Sequence, residues 1–324
     1  MDSKNYIEKV AIVGAGGNCG SYIAEALLKT KKHNVSAVTR ADSTNKLPEG
    51  VNRIEVDYND QSSLVHALQG QDALIITMSV TAQPGTEAKL IDAAAEAGVP
   101  WILPNEWGVD STNTSQSEDI LIATPKRQLR KQILDLGVSS FIGVSTGFWY
   151  EWSLAVPIAF GFDFKAREVT LYDEGDTRIS ISTWPQVGRA AASLLSLKIH
   201  PDDESDNSPC LEKFKNDFIY VNSFTVSQKE LLESALRVTG TSLQDWNVKK
   251  EPVKARYADG LKEFQGGDRM GFGKLLYARV FYPDDSGNTE KTRGLENKLL
   301  GLPKEDMDEY TRLAIERSKT VQWG

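Results

Sequence analysis

Cysteine, histidine and long apolar runs are scarce or absent in this 324-residue chain. The two cysteines, Cys19 and Cys210, form no CxxC pair, which argues against a disulfide framework and for a reducing compartment. The three histidines are far apart in sequence, so we expect no zinc site. No apolar run reaches the roughly 18 residues of a membrane span, and the first residues lack the basic and apolar regions of a secretory signal. We therefore expect a cytoplasmic protein with no metal and no membrane contact.

An excess of positive charge is also missing. The chain has 37 Lys and Arg against 45 Asp and Glu, a formal net charge of −8, which argues against direct nucleic-acid binding through a basic surface. Hydrophobic residues make up 40% and charged residues 25%, values of a globular protein rather than a disordered one. At about 150 residues per domain, the length suggests two domains or one domain with an appended lobe.

The first 145 residues alternate between strand-like and helix-like segments. Short runs rich in β-branched residues are separated by amphipathic stretches, a spacing typical of βαβ units. The predicted strands are Lys9–Val13, Val35–Val38, Ile54–Val56, Ala73–Thr77, Trp101–Leu103 and Ser140–Val144, and the predicted helices are Cys19–Lys29, Gln61–Leu68, Thr86–Ala97 and Thr124–Leu136. We therefore predict an α/β fold, a Rossmann-type doubly wound parallel sheet followed by a smaller mixed α/β lobe.

Residues with capping chemistry mark the predicted helix ends. Asp60 is a predicted N-cap, and Gly98 follows a helix where a left-handed backbone is favoured. Thr124 is another predicted N-cap, which puts Pro125 at the first helical position, and Gly137 follows the end of that helix.

Beyond residue 145 the alternation weakens. Further strands are predicted at Val169–Tyr172 and Arg178–Ser182, on either side of a hairpin-like turn, and further helices at Pro185–Leu197, Ser227–Val238 and Lys304–Lys319. The Gly-rich segment Phe264–Gly273 is predicted to be mobile, with an exposed loop favoured over a lid.

A glycine cluster lies between the first predicted strand and the first helix. A GxGxxG pattern fails because Cys19 occupies its third glycine position, but GxxGxxG fits at Gly14, Gly17 and Gly20. We expect Gly14 to make a tight turn, Gly17 to let the backbone approach a pyrophosphate, and Gly20 to let the helix pack on the strand. The candidate cofactor-binding residues of this loop are Gly14, Gly16, Gly17, Asn18, Cys19 and Gly20.

The end of the second strand favours NADP(H) over NAD(H). Arg40 follows Gly20 by twenty residues and offers guanidinium donors to a 2′-phosphate, although a solvated surface arginine is the alternative. Asp42 falls in the following loop and is not expected to bind the ribose, whereas Asp57 could cap the adenine amine or lie in an exposed turn. The fourth strand ends where the sheet faces the cofactor, at Thr77, Met78 and Ser79.

The chain lacks the Tyr-x-x-x-Lys pair of short-chain dehydrogenases, since no tyrosine has a lysine four residues on. It has instead a P-N-E-W-G segment at 104–108 and Lys126 ahead of the basic stretch 130–133. With the early GxxGxxG and Arg40, these residues resemble the NmrA-like, isoflavone reductase-like branch of atypical short-chain dehydrogenases, and most of all fungal CipA-type isoflavone reductase-like proteins. The resemblance covers residues 6–150 well and the rest in general layout.

This resemblance implies that Lys126 is the acid/base and that Asn105, Glu106 and Trp107 lie beside the nicotinamide or the substrate. An independent argument supports the lysine, because the second position of a helix and a site covered by nicotinamide both disfavour an ammonium, leaving an amine suited to proton transfer. The alternative is a solvated lysine in a basic helix.

Aromatic residues are concentrated directly after the sixth strand. Residues 148–164 contain seven of the 28 aromatic residues, and Phe148, Trp149 and Tyr150 are candidate substrate contacts. Core packing beneath the second lobe is the alternative and is slightly favoured.

We therefore expect an NADPH-dependent reductase of a small, largely apolar or aromatic ketone, enone, imine or benzylic ether, with a role in secondary metabolism. An NADP-binding domain would span 1–150 and a substrate lobe 151–324, with part of 180–225 returning to the first sheet. The partner is a small-molecule substrate, and the protein acts as a monomer or homodimer. The rival is an NmrA-like redox sensor that binds NADP(H) without catalysis.

Overall fold

A seven-stranded parallel sheet forms the centre of the computed structural model, which describes residues 5–79 and 82–321. Its strands are β1 Lys9–Val13, β2 Asn34–Arg40, β3 Asn52–Val56, β4 Ala73–Ile76, β5 Trp101–Leu103, β6 Ser140–Ser145 and, numbered by its place in the chain, β11 Asp217–Tyr220. The order is β11-β6-β5-β4-β1-β2-β3, and every neighbouring pair is parallel. The prediction of a Rossmann-type doubly wound sheet is confirmed, and the strand order reverses between β1 and β4.

Helices cover both faces of this sheet because its strands are apolar on both sides. Val10 and Ile12 of β1 pack in one core cluster, whereas Ala11 and Val13 pack in another. The first cluster includes α1 Asn18–Thr30 and α8 Trp184–Leu195, and the second includes α2 Gln61–Leu68, α3 Thr86–Glu96 and α5 Ala123–Leu136.

The second half of the chain adds two small sheets. Their strands are β7 Phe148–Trp149, β8 Phe162–Asp163, β9 Glu168–Tyr172, β10 Ile179–Ser182, β12 Phe224–Val226 and β13 Asn247–Glu251. One sheet has the order β12-β10-β7 and the other β13-β9-β8. The predicted hairpin is wrong, because its two strands belong to different sheets: β9 pairs with β8 and β13, whereas β10 pairs with β7 and β12.

The remaining helices pack around these sheets. They are α4 Thr114–Asp119, α6 Tyr150–Ser153, α7 Pro157–Phe160, α9 Gln228–Thr239, α10 Val253–Gln265, α11 Arg269–Val280, α12 Thr289–Thr292 and α13 Met307–Ser318. None of the helices in the described ranges is long and apolar enough to span a bilayer.

The prediction of a loop over the whole Gly-rich segment Phe264–Gly273 is wrong. The segment contains a tight turn between α10 and α11, and Gly271 lies inside α11 rather than in a loop. A Cβ atom on Gly271 would lie 2.3 Å from the backbone nitrogen of Phe264. This glycine therefore lets two helices pack closely, and most of the segment is helix rather than loop.

Helix ends follow local capping rules at some positions and depart from them at α5. Asp60 accepts the Ser62 N–H as predicted, and Gly98 adopts φ +75°. The predicted start of α5 is wrong, because the helix begins at Ala123 and the backbone N–H of Lys126 already donates to the Ile122 carbonyl at 3.1 Å. Lys126 is therefore the fourth helical residue rather than the second.

Candidate functional site

The carboxyl edge of the large sheet brings separate segments of the chain together. Val13, the last residue of β1, is in register with Val38 of β2 and Ile76 of β4. The glycine loop therefore leaves the sheet between Arg40, two residues beyond Val38, and Thr77, the residue after Ile76. This is the topological switch point where ligands of open α/β sheets bind.

Close backbone contacts explain the glycines of the loop. Gly14 adopts φ +86°, and its carbonyl accepts the Gly17 N–H at 2.9 Å, which closes a tight turn. A Cβ atom on Gly20 would lie 2.1 Å from the Gly14 oxygen and 2.7 Å from Oγ1 of Thr77. The helix can therefore start against β1 only with glycine at position 20.

The first turn of α1 is suited to an anion. Its N-cap is Gly17, which has no side chain to cap the turn, and the turn contains no acidic residue. The unpaired N–H groups and the positive end of the helix dipole therefore face the carboxyl edge of the sheet, as a phosphate requires. Asn18 is exposed at this terminus. Cys19 is buried, and burial raises the pKa of its thiol, so its contribution to a ligand is limited to the backbone.

Two segments adjoin the loop on the side of β2. The Arg40 side chain is 67% exposed and lies 3.4 Å from Asp42, so little holds it away from an incoming phosphate. Residues Asn45 and Lys46, which sequence reasoning did not select, lie over the loop, because a Cβ atom on Gly16 would be 2.8 Å from the Asn45 Cβ.

Asp57, by contrast, lies in an exposed turn. Its carboxylate accepts the backbone N–H of Asn59 at 2.8 Å. This contact agrees with the exposed-turn alternative, and capping of the adenine amine by Asp57 stays a prediction.

The residues after β4 link the glycine loop to the next strand. The Thr77 hydroxyl donates to the Val13 carbonyl at 2.9 Å, and the Met78 carbonyl accepts the side-chain amide of Asn105 at 3.1 Å. Ser79 is exposed at the same edge. These contacts bring Asn105, after β5, next to the end of β4.

Lys126 points at this same place from α5. Its Nζ donates to the backbone carbonyl of Asn105 and lies 4.0 Å from Oε2 of Glu87. Oε1 of Glu87 in turn accepts the Asn105 N–H at 2.9 Å. Burial raises the pKa of Glu87, and the neighbouring Lys126 partly offsets that effect. Glu87 was missed by sequence reasoning, since only its place in the first turn of α3 marks it.

Glu106 and Trp107 face the protein interior, and their contact with a ligand stays a prediction. The buried Glu106 carboxylate forms an ion pair with Arg130 at 2.5 Å. The buried Trp107 indole donates to the Ile76 carbonyl at 2.8 Å. Both residues hold the 104–108 loop in place.

Of the three aromatic candidates, two are partly exposed and one is core. Phe148 is half-buried and stacks on Tyr277 with ring centroids 4.1 Å apart. Trp149 is half-buried beside Trp184. The prediction for Tyr150 is wrong, because it is fully buried and its hydroxyl bonds Oγ1 of Thr311 on α13 at 2.6 Å.

A G-x-S-x-G sequence at 143–147, which sequence reasoning overlooked, is not a nucleophile elbow. Its serine, Ser145, is fully buried at the end of β6 and donates to the Gly108 carbonyl at 3.1 Å. A nucleophilic serine must instead stand exposed on a strand-to-helix turn. Across residues 5–79 and 82–321 there is also no group of three or more His, Cys, Asp or Glu that could hold a metal ion.

Comparisons with known proteins agree with this fold. Residues 7–157 match the model of the NmrA-like family. The chain is 28% identical to oxidoreductase aprR from Aspergillus flavus, over 93% of this chain and 96% of the relative. It is 26% identical to isoflavone reductase homolog P3 from Arabidopsis thaliana, over 76% of this chain and 79% of the relative.

A solved structure shares the fold at lower identity. The quinone oxidoreductase QOR2 of Escherichia coli, solved in complex with NADPH, has a TM-score of 0.64 and 20% identity, and covers 94% of this chain and 98% of its own. The family match lies on the sheet that carries the glycine loop and Lys126. The chain is therefore an oxidoreductase whose residues 7–157 are NmrA-like, and it is similar to isoflavone reductase homologues.

Proposed function

We propose that the protein is an NADPH-dependent reductase of a small, largely apolar or aromatic ketone, enone, imine or benzylic ether, with a role in secondary metabolism. The observation that carries the proposal is the position of Lys126. Its amine lies beside the carbonyl of Asn105, whose side chain bonds the end of β4 next to the glycine loop.

The carboxyl edge of the sheet would hold the cofactor. The pyrophosphate fits the uncapped start of α1, where a side chain at Gly20 would collide with the backbone. Arg40 would bond the 2′-phosphate with its exposed guanidinium. The amide of Asn105 and the segment Thr77–Ser79 would border the nicotinamide. When bound, NADPH supplies the hydride.

Lys126 would supply the proton. Its two neighbours, a carbonyl and a carboxylate oxygen, both suit a protonated amine, which is a donor and carries positive charge. This differs from the sequence argument, which relied on a helix terminus to favour the neutral amine. As negative charge develops on the substrate oxygen or nitrogen, the Nζ ammonium stabilises it and then transfers a proton.

Phe148 and Trp149 support an apolar substrate. Both are only partly buried and follow β6 at the boundary between the large sheet and the second half of the chain. Aromatic faces at such a boundary suit stacking of a ring.

Isotope transfer tests the proposal. The protein is incubated with NADPH deuterated on one or the other face of C4 and with an aryl ketone, an aryl enone, a cyclic aryl imine and a benzylic ether. We expect deuterium from one face only to appear in the product of at least one probe. Tight NADPH binding with no transfer to any probe would contradict the proposal and favour a redox sensor that binds NADP(H) without catalysis.

A further inference from the structure

Glu87 occupies a position between two parts of the site that are distant in sequence. It lies in the first turn of α3, and its side chain is 14% exposed. One carboxylate oxygen accepts the Asn105 N–H at 2.9 Å, and the other lies 4.0 Å from Nζ of Lys126. Nζ closes the triangle by donating to the carbonyl of Asn105.

The charges around Lys126 single out Glu87 as its ionic neighbour. The loop after β5 contributes Glu106, and α5 contributes Arg130 one turn beyond Lys126, but these two form an ion pair with each other at 2.5 Å. Arg127, the next residue of α5, is exposed. Glu87 is therefore the carboxylate within 4 Å of this amine among the residues that the structure describes.

Burial makes the charged form of Glu87 unfavourable unless a cation or a hydrogen-bond donor lies beside it. Burial raises the pKa of this largely buried carboxylate, Lys126 and the Asn105 N–H lower it in part, and the negative charge of Glu106 raises it again. The Asn105 N–H alone could be satisfied by a neutral amide oxygen. A carboxylate additionally orients and stabilises a cation.

We propose that Glu87 is a positioning residue for Lys126. It holds the Asn105 peptide and the protonated amine in one arrangement at the carboxyl edge of the sheet. The inference rests on the proposed function for its importance in catalysis, but the contact itself can be tested without turnover.

The first measurement is the pH dependence of trace acetylation at Lys126 by acetic anhydride, followed by peptide mass spectrometry. Glu87→Gln keeps an acceptor for the Asn105 N–H and removes the charge. We expect the pH of half-maximal reactivity at Lys126 to fall by about one unit, as when an opposite charge within about 4–6 Å is lost. The exposed Lys131 serves as an internal reference.

The second measurement is kcat on the probe that the wild type reduces fastest. We expect Glu87→Gln to lower kcat by about threefold to tenfold, a fraction of what a general acid contributes, with KM for NADPH within about twofold. Glu87→Ala should lower kcat further, because it also removes the acceptor for Asn105.

Asp92→Asn is the matched control. Asp92 lies on the same helix and bonds Gln132 of α5 at 2.6 Å, so the variant weakens the α3–α5 contact without touching Lys126. An unchanged acetylation profile in Glu87→Gln, or an equal shift in Asp92→Asn, would overturn the proposal. Failure of the proposed function would appear separately, as full turnover in Lys126→Ala.

Discussion

The two sides of the candidate cleft are built by different means. On the cofactor side, one continuous segment from Gly14 to Gly20 presents backbone atoms, and an added side chain at Gly14 or Gly20 would collide with the loop backbone or with Thr77. On the proton-donor side, Glu87, Asn105 and Lys126 come from three segments and are held by side-chain contacts. A backbone cradle is sensitive to added volume, whereas a side-chain cluster is sensitive to charge and hydrogen bonding.

The largest binding effect is expected on the cofactor side. Gly20→Ala puts a methyl group 2.1 Å from the Gly14 oxygen, so the loop must shift away from the helix terminus. We expect the Kd for NADPH to rise by about 100-fold or more, a loss of about 3 kcal/mol. Isothermal titration calorimetry measures it.

Gly266→Ala is the control for this substitution. It lies in the turn before α11, at ordinary φ, where the nearest atom to an added Cβ is 3.3 Å away. If Gly20→Ala bound NADPH as tightly as this control while remaining folded, the cofactor side could not be a backbone cradle.

A smaller effect is expected from charge on the same side. Arg40→Ala removes the donors proposed for the 2′-phosphate, and a hydrogen bond to a charged group contributes about 1.5–3 kcal/mol. We expect the Kd for NADPH to rise about tenfold to 100-fold and the Kd for NADH to stay unchanged. Fluorescence titration with both cofactors checks this.

Lys29→Ala is the matched charge control for Arg40→Ala. Lys29 is exposed near the far end of α1, away from the glycine loop. Equal weakening of NADPH and NADH binding by Arg40→Ala would show that Arg40 does not select the phosphate.

The same contrast explains how much the sequence could predict. The glycine spacing, the Asp60 cap and the strands of the large sheet follow from neighbouring residues, and they agree with the structure. Glu87 could not be identified in this way, because its contacts are with residues 18 and 39 positions further along the chain.

Composition alone is ambiguous for glycine, which occurs both in loops and at close helix contacts, and for aromatic residues, which occur both in ligand sites and in cores. Gly271 permits close packing of two helices instead of forming a loop, and Tyr150 packs in the core against α13. Neither outcome is visible without the partner element. The start of α5 was misjudged for a related reason, since Ile122 accepts the first helical hydrogen bond although it is not a good capping residue.

The central claim is that Lys126 donates the proton to the substrate, whereas the glycine loop and Arg40 bind the cofactor. The most direct measurement compares NADPH affinity and turnover in Lys126→Ala, with Lys131→Ala as the control on the exposed face of the same helix. We predict a Kd for NADPH within about twofold of wild type and a kcat lower by about 10²- to 10⁴-fold, the contribution of a general acid, with Lys131→Ala unchanged in both. Turnover of Lys126→Ala at the wild-type rate would contradict the account.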